Sequence, residues 1–387
     1  MNTIHTPIGI GLIGCGGMGR SLVRRLLELD PRLQVKALLD PDPRSIEATL
    51  AELATPPVVC EDLEAMWEVP GVDWVMIASW NCQHAEQTLA AFAAGKEVFC
   101  QKPLATNLND ALRMATAWRS SGRHFGIGFT LRFSPHYRKI HELLRDGAIG
   151  DLISMEFNET LDFNHGGYIM GDWRRLEANA GSHLLEKCCH DIDLANWMTG
   201  SRAAQVASFG GRRFFLPENA AHIERIGRDP EGKAAYQTWR GLVKADPFTS
   251  DKDIVDHQVA ILEYANGVCA TFHTNLNAGI PERRMLLLGS EGAIRADLGT
   301  GAIDLRRIGF GTTIETVSIP KTDGHGGGDA VLAKEIAAAM LHGKTPAVGL
   351  SEALESAVTC FAIDEAMKSS AVINLAAHWS QVDDALS

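Results

Sequence analysis

Residues 8–19 read IGIGLIGCGGMG, an apolar run that meets glycines at positions 14, 16 and 19. The run Ile8–Ile13 predicts a buried strand. The next segment, RSLVRRLLELD, repeats apolar residues at Leu22, Val23, Leu26 and Leu27 and sets Arg24, Arg25 and Glu28 opposite them, the stripe of an amphipathic helix. A second strand, QVKALLD, ends at Asp40, twenty-one residues past Gly19. Strand, glycine turn, helix and a distant acid, in that order, form the pattern of a dinucleotide-binding unit. A glycine-rich turn in some other α/β fold is the plain alternative.

Each position has a physical part in that pattern. Gly14 allows the tight turn, Gly16 lets the backbone approach a pyrophosphate, and Gly19 lets helix and strand pack closely. Together with Gly17 and Met18 they turn a helix N-terminus toward the phosphates. Asp40 accepts hydrogen bonds from the adenosine ribose hydroxyls and repels a 2′-phosphate, which favours NAD over NADP.

Working outward, VDWVMIAS (72–79) reads as a buried parallel strand, HAEQTLAAFAAG (84–95) as the helix after it, and KEVFCQKP (96–103) as a further strand. Strands alternating with helices predict a doubly wound parallel sheet, whose ligands lie at the carboxyl ends of the strands. Ser79, Trp80, Asn81, His84, Gln101 and Lys102 sit there. For most of them a loop role is the simpler reading. Lys102, opening a loop at the cofactor cleft, is placed to bond a substrate hydroxyl.

Composition sets the frame. With 387 residues, 45% hydrophobic and 22% charged, the chain is long enough for two or three domains. Its net charge of −12 argues against a nucleic-acid partner, which needs clustered Lys and Arg. No apolar run approaches the roughly 18 residues of a membrane span. IGIGLIG is short and lacks a basic leader, so a signal peptide is not expected and a cytoplasmic location is. The eight cysteines show no CxxC spacing and are expected as reduced thiols.

Four ordered motifs carry a resemblance to a known family: GLIGCGGMG, QKP (101–103), GFTLRFSPHYRKIHELLRDGAIGDL (128–152) and GSHLLEKCCHDIDLANWMTG (181–200). The chain resembles the Gfo/Idh/MocA oxidoreductases over nearly its whole length. The resemblance implies a Rossmann domain, taken as 1–123, then an α+β domain, 124–387, with a large open, mainly antiparallel sheet and a homodimer or homotetramer built by sheet packing. It further implies a sugar, cyclitol or similar substrate whose secondary alcohol exchanges a hydride with NAD(P). Gln101 stands where the family usually has glutamate, Glu186 where it has aspartate, and Lys187 adds a charge that many members lack.

In LLEKCCHDID (184–193), helical spacing brings Glu186, His190 and Asp193 within roughly 60° of one another. The adjacent thiols of Cys188 and Cys189 diverge on a helix, so no metal cluster is expected and the cysteines read as packing residues. By its place in the family motif His190 becomes the general base for the hydroxyl proton, a task suited to an imidazole. Lys102 becomes the hydroxyl anchor and electrostatic stabiliser, and the base itself in a variant of this reading. Glu186 orients one of them or a substrate hydroxyl. Lys187 either lines the cleft or pairs with Asp191 one turn on.

DFNHGGYIMGDWRR (162–175) reads as a loop with the composition of a sugar-binding wall. The resemblance places Trp173 and Arg174 near cofactor and substrate; Asn164, His165, Tyr168, Asp172 and Arg175 are candidates for substrate hydroxyls. Arg132 either faces the cleft or makes a structural salt bridge. The polar segment 216–253 reads as an insertion that caps the site or builds an oligomer contact. DHQVAILEYANGVCATFHTN (256–275) alternates around an ANG turn as a β-hairpin, and 327–342 and 351–370 read as helices. His325, before three glycines, reaches the cleft if its loop folds back and otherwise marks a hinge. Two rival functions stay open: an NAD-dependent glycoside hydrolase working by transient C3 oxidation and elimination, and a non-catalytic NAD- and sugar-binding regulator.

Overall fold

A computed structural model describes residues 7–239, 241, 243–320 and 324–387. The chain separates into two compact units. Residues up to 133, with 328–354 and 380–387, form the first; 134–327 with 355–379 form the second.

In the first unit six parallel strands, β1 (Ile8–Ile13), β2 (Leu33–Leu39), β3 (Val58–Val59), β4 (Trp74–Ile77), β5 (Glu97–Cys100) and β6 (Phe125–Ile127), pair in the order 3-2-1-4-5-6. This is the doubly wound arrangement that the alternating pattern predicted, and the order reverses between β1 and β4, where such sheets bind ligands. Helix Gly17–Leu29 buries Leu22, Val23 and Leu26, three of the four residues of the stripe read from its periodicity, and leaves Leu27 half-buried.

The second unit holds a nine-stranded sheet. Its strands are β7 (Leu152–Thr160), β8 (Ala203–Gly211), β9 (His257–Tyr264), β10 (Cys269–Asn275), β11 (Arg284–Gly289), β12 (Gly292–Asp297), β13 (Ala302–Arg307), β14 (Glu315–Ser318) and β15 (Ile373–Asn374), in the order 14-13-12-11-7-10-9-8-15. Every pairing is antiparallel except β7 with β10. The predicted hairpin is β9–β10, with Gly267 of the ANG turn at φ 87°. Helix His183–Thr199 packs on β7.

The expected division at 123/124 needs correction. β6 lies beyond it yet pairs with β5, completing the first sheet. Helix Gly328–His342, expected in the second domain, buries Leu332, Ala333, Ile336 and Met340 and packs against helix 17–29 of the first unit. A return of the chain over so long a separation leaves no local mark in the sequence. Among the described residues no helix is long and apolar enough to cross a membrane, and all eight cysteines are free thiols.

Candidate active site

The glycine loop follows β1. Gly14 has φ 87°, and a Cβ on it would lie 2.4 Å from the Ala78 carbonyl carbon; a Cβ on Gly19 would lie 2.2 Å from the Gly14 oxygen. Neither position admits a side chain. At Gly16 and Gly17 the reverse holds, with open space where a Cβ would project. The helix begins at Gly17 without a capping side chain, and Gly17 and Met18 are exposed. Its first N–H groups therefore suit an anion. Asp40 closes this loop from β2: Oδ2 accepts from the Cys15 N–H at 2.6 Å and Oδ1 from the Asp42 N–H at 2.8 Å.

At the ends of β4 and β5, the Ser79 hydroxyl donates to Gln87 Oε1 at 2.6 Å. Trp80, Gln101 and Lys102 are half-buried, and Asn81 is buried at the start of a 3-10 turn. The Gln101 backbone N–H donates to the Ile77 carbonyl, and the Gln101 side chain leaves no room for a Cβ on Gly128. His84, read as a cofactor contact, is fully buried, with Nδ1 2.8 Å from the Pro103 oxygen and Nε2 3.2 Å from the Ser79 oxygen. Burial, with some help from the Lys102 ammonium, lowers its pKa. His84 thus braces the two loops that carry Ser79 and Lys102, and a cofactor contact is corrected to a positioning one. Arg132, half-buried in the 3-10 turn Thr130–Phe133, belongs to the first unit.

In the second unit the helix His183–Thr199 carries the remaining chemistry. Ser182 caps it, its Oγ accepting from the Leu185 N–H at 3.1 Å. Of its 17 residues only Lys187 and Trp197 escape full burial, so each charge on it needs a partner. Arg174 Nε donates to Glu186 Oε1 at 3.1 Å, while its Nη1 donates to Asp172 Oδ1 at 3.0 Å and to the Tyr168 hydroxyl at 2.7 Å. The same guanidinium lies 4.3 Å from the Trp173 ring centroid. Lys187 Nζ stands 3.5 Å from Glu159 Oε1 on β7, so the pairing with Asp191 open from the spacing is not made. Asp191 is instead forked by Arg283 at 2.8 and 2.7 Å, and Arg283 also reaches Glu159 at 2.9 Å.

These pairings set protonation. Burial opposes ionisation of Glu159, but Arg283 and Lys187 outweigh it and hold the carboxyl down to about 2. Burial, then the Glu159 charge, pushes Asp191 up against Arg283. Glu159, Cys188 and Asp191 are close enough to share a cation. The Arg283 guanidinium already supplies the positive charge there, and burial together with the two carboxylates drives the Cys188 thiol well up, toward its protonated form. His190 is 4% exposed, and its ring centroid lies 5.7 Å from that of His325, so the loop before the glycines does fold back to the helix.

The segment 162–175 is not the loop expected. Asp162 accepts from the N–H groups of Asn164 and His165 and starts a helix, Phe163–Gly171, followed by the 3-10 turn Trp173–Arg175. Its paired glycines serve close packing: a Cβ on Gly166 would lie 1.8 Å from the Leu276 oxygen, and one on Gly167 2.1 Å from the Tyr236 oxygen. The 216–253 insertion presses on this helix. Asn164 Oδ1 accepts from the Tyr236 N–H at 2.8 Å, Asp172 Oδ2 from the Val243 N–H at 3.2 Å, and the Trp239 ring stacks on His165 at 4.2 Å. Asn164 Oδ1 and Asp172 Oδ2 are therefore engaged in holding the insertion. Burial, then Lys187, pushes the His165 imidazole down to about 3, leaving it neutral. Arg175 forms an ion pair with Asp251 at 2.7 Å.

Residues 8–129 match the family model for the oxidoreductase family with an NAD-binding Rossmann fold, and 137–295 match the GFO/IDH/MocA C-terminal domain. The chain belongs to the Gfo/Idh/MocA family. Among its relatives, this Gfo/Idh/MocA protein is 31% identical over 262 residues to an inositol 2-dehydrogenase of Gluconacetobacter diazotrophicus, covering 66% of this chain and 71% of that one. It is 26% identical over 378 residues to YteT of Bacillus subtilis (strain 168), covering 84% and 88%. Its fold is that of levoglucosan dehydrogenase, solved with NADH and levoglucosan, at TM-score 0.79 and 20% identity over 96% of this chain and 100% of the other.

As a member of this family the chain is an NAD-binding oxidoreductase, and the loop geometry fits the cofactor: open space at Gly16 and Gly17, amides at a helix start, and an acid at the end of β2. Glu159 and Arg283 were not found from the sequence. Glu159 left a trace, a charge among the buried Phe157, Asn158 and Thr160 of its strand; Arg283, in a turn, left none. Trp239 lies in the segment 216–253, whose polar composition gives no local signal of it.

Proposed function

We propose that this chain is an NAD-dependent dehydrogenase of a secondary hydroxyl on a sugar or cyclitol. The observation that carries the reading is the glycine loop, closed to side chains at Gly14 and Gly19 and open at Gly16 and Gly17, in a chain of this oxidoreductase family. The names of its relatives, inositol 2-dehydrogenase above all, support the substrate class. Bound NAD supplies the hydride acceptor.

The chain's own residues do the rest. Gly14, Gly16, Gly17, Met18 and Gly19 hold the pyrophosphate, and Asp40 the ribose. Lys102 anchors the reacting hydroxyl and stabilises its oxygen as the proton leaves; His190, with His325 beside it, takes that proton. Glu186 fixes Arg174, and Glu159 fixes the Lys187 ammonium at the same helix. The enzyme works as a homo-oligomer in the cytoplasm. The exposed Phe209, Val259, Ile261 and Leu288 on the second sheet support the first, and its free thiols support the second.

The test is a panel of polyols, aldoses, anionic sugars and glycosides with NAD and NADP, read at the nicotinamide absorbance and by product analysis. NADH formed in step with a ketone product is the expected result. Aglycone release from a glycoside with no net NADH would replace this reading with the glycosidase one, and binding without turnover would replace it with a regulator.

A further inference from the structure

The insertion and helix 163–171 line an open-sided cavity of about 600 Å³ that involves none of the glycine-loop residues and lies wholly in the second unit. That volume is in the range of small-molecule sites. One wall is aromatic. Trp239 is 48% exposed, and its ring is fixed by the stack on His165 at 4.2 Å and 23° and by Tyr168 at 5.7 Å. An indole held rigid with half its surface open presents an apolar plane without an ordering cost at binding. Gln237 and Thr238 line the same space and add hydrogen-bonding groups.

The rim is cationic. Arg228, Lys233 and Lys244 stand around the cavity, with Asp246 the acid among its lining residues. The Asp246 carboxylate is turned into its own loop, accepting at Oδ1 from the Phe248 and Thr249 N–H groups at 2.9 Å and from the Thr249 hydroxyl at 3.1 Å. Nearby Asp229 likewise accepts from the Lys233 N–H at 2.7 Å. Three cations thus stand against one carboxylate among the residues lining the cavity, with Asp229 and Glu231 in the turn that carries Lys233. His165, neutral beneath the indole, adds no charge to the rim.

A flat aromatic plane suits the C–H face of a sugar ring, amides and hydroxyls suit its hydroxyls, and ammonium groups suit a carboxylate or phosphate. We infer that this cavity is a second carbohydrate site, which binds an anionic sugar unit with its ring on Trp239 and its acidic group at Lys233 and Lys244. The site does not depend on NAD.

Equilibrium dialysis of the full chain without NAD, with radiolabelled glucuronate, glucose 6-phosphate and glucose, tests this. At least one anionic sugar should bind about tenfold more tightly than glucose, weakening as salt is raised, and the two arms separate carboxylate from phosphate. The double substitution Lys233→Gln, Lys244→Gln, at two exposed positions, should weaken that binding about tenfold and leave glucose unchanged; Trp239→Leu should weaken all sugars that bind. Equal binding of glucose and both anions, unaltered affinity in the double variant, or inorganic phosphate competing as well as the sugar phosphate would overturn the inference. Turnover in the NAD panel is a separate measurement, so either reading can fail alone.

Discussion

Asp40 does two things with one carboxylate. It fastens the glycine loop through the Cys15 N–H at 2.6 Å and the turn after β2 through the Asp42 N–H at 2.8 Å. It also puts a negative charge at the end of β2, where an adenosine ribose sits in such folds. Asp40→Ser should therefore lower kcat/KM for NAD about tenfold while removing the repulsion of a 2′-phosphate, so the NAD to NADP ratio of kcat/KM falls further than the NAD value itself. A ratio left unchanged would show that Asp40 only fastens the loop. At the reacting oxygen, Lys102→Met and His190→Asn should each cut kcat by about a hundredfold or more, the range of one electrostatic donor or one positioned base. Steady-state rates with the best polyol of the panel decide it, and KM should move little if both act mainly as the bond breaks.

Among the elements, the strands and long helices were legible because their signals are local. β1, the glycine loop and helix 17–29 declare themselves within 22 residues, and the ANG turn fixes the β9–β10 hairpin. Helix 163–171 reads as a loop from its polar and aromatic composition, whereas its paired glycines, Gly166 and Gly167, are sites of backbone approach to Leu276 and Tyr236, far along the chain. The Asp162 cap was the local clue to it. The partners of the charged helix 183–199 were illegible for a like reason: Glu159, Arg174 and Arg283 reach it from three separate segments. Asp364, buried, accepts from the Ser182 hydroxyl at the cap of that helix and from Gln258 Nε2, and burial pushes its carboxyl up to about 6. A carboxyl whose folded pKa is raised is held more stably protonated, so its contribution is full below the unfolded value near 3.8 and is lost as pH rises through about 6. Asp364→Asn, uncharged throughout, should then gain stability relative to the parent chain between pH 4 and 7, by about 2 kcal/mol at the upper end. Urea unfolding at both pH values measures it; a constant difference would mean that Asp364 does not titrate in this window.

For the whole molecule, the open face of the nine-stranded sheet is the feature that a single copy leaves unexplained. Residue pairing sets Phe209 beside Val259 and Ala207 beside Ile261 on that face, with Thr271 next to Ile261 and Leu288 two strands on. Phe209 is 72% exposed, Ile261 55%, Val259 47% and Leu288 42%. Scattered apolar residues need no account, but neighbours across adjacent strands form a patch of the kind that marks an interface. A twofold pairing of sheet faces would bury it against its own copy, which satisfies both surfaces at once. Because apolar area contributes about 25 cal/mol per Å², placing a charge at its centre should undo the association. Ile261→Lys combined with Phe209→Asp should therefore shift the protein from dimer or tetramer to monomer in light scattering at micromolar concentration, without loss of far-ultraviolet circular dichroism, since both side chains point away from the core. If the double variant keeps the mass of the parent assembly, the subunits meet elsewhere, and the sheet face must have another use.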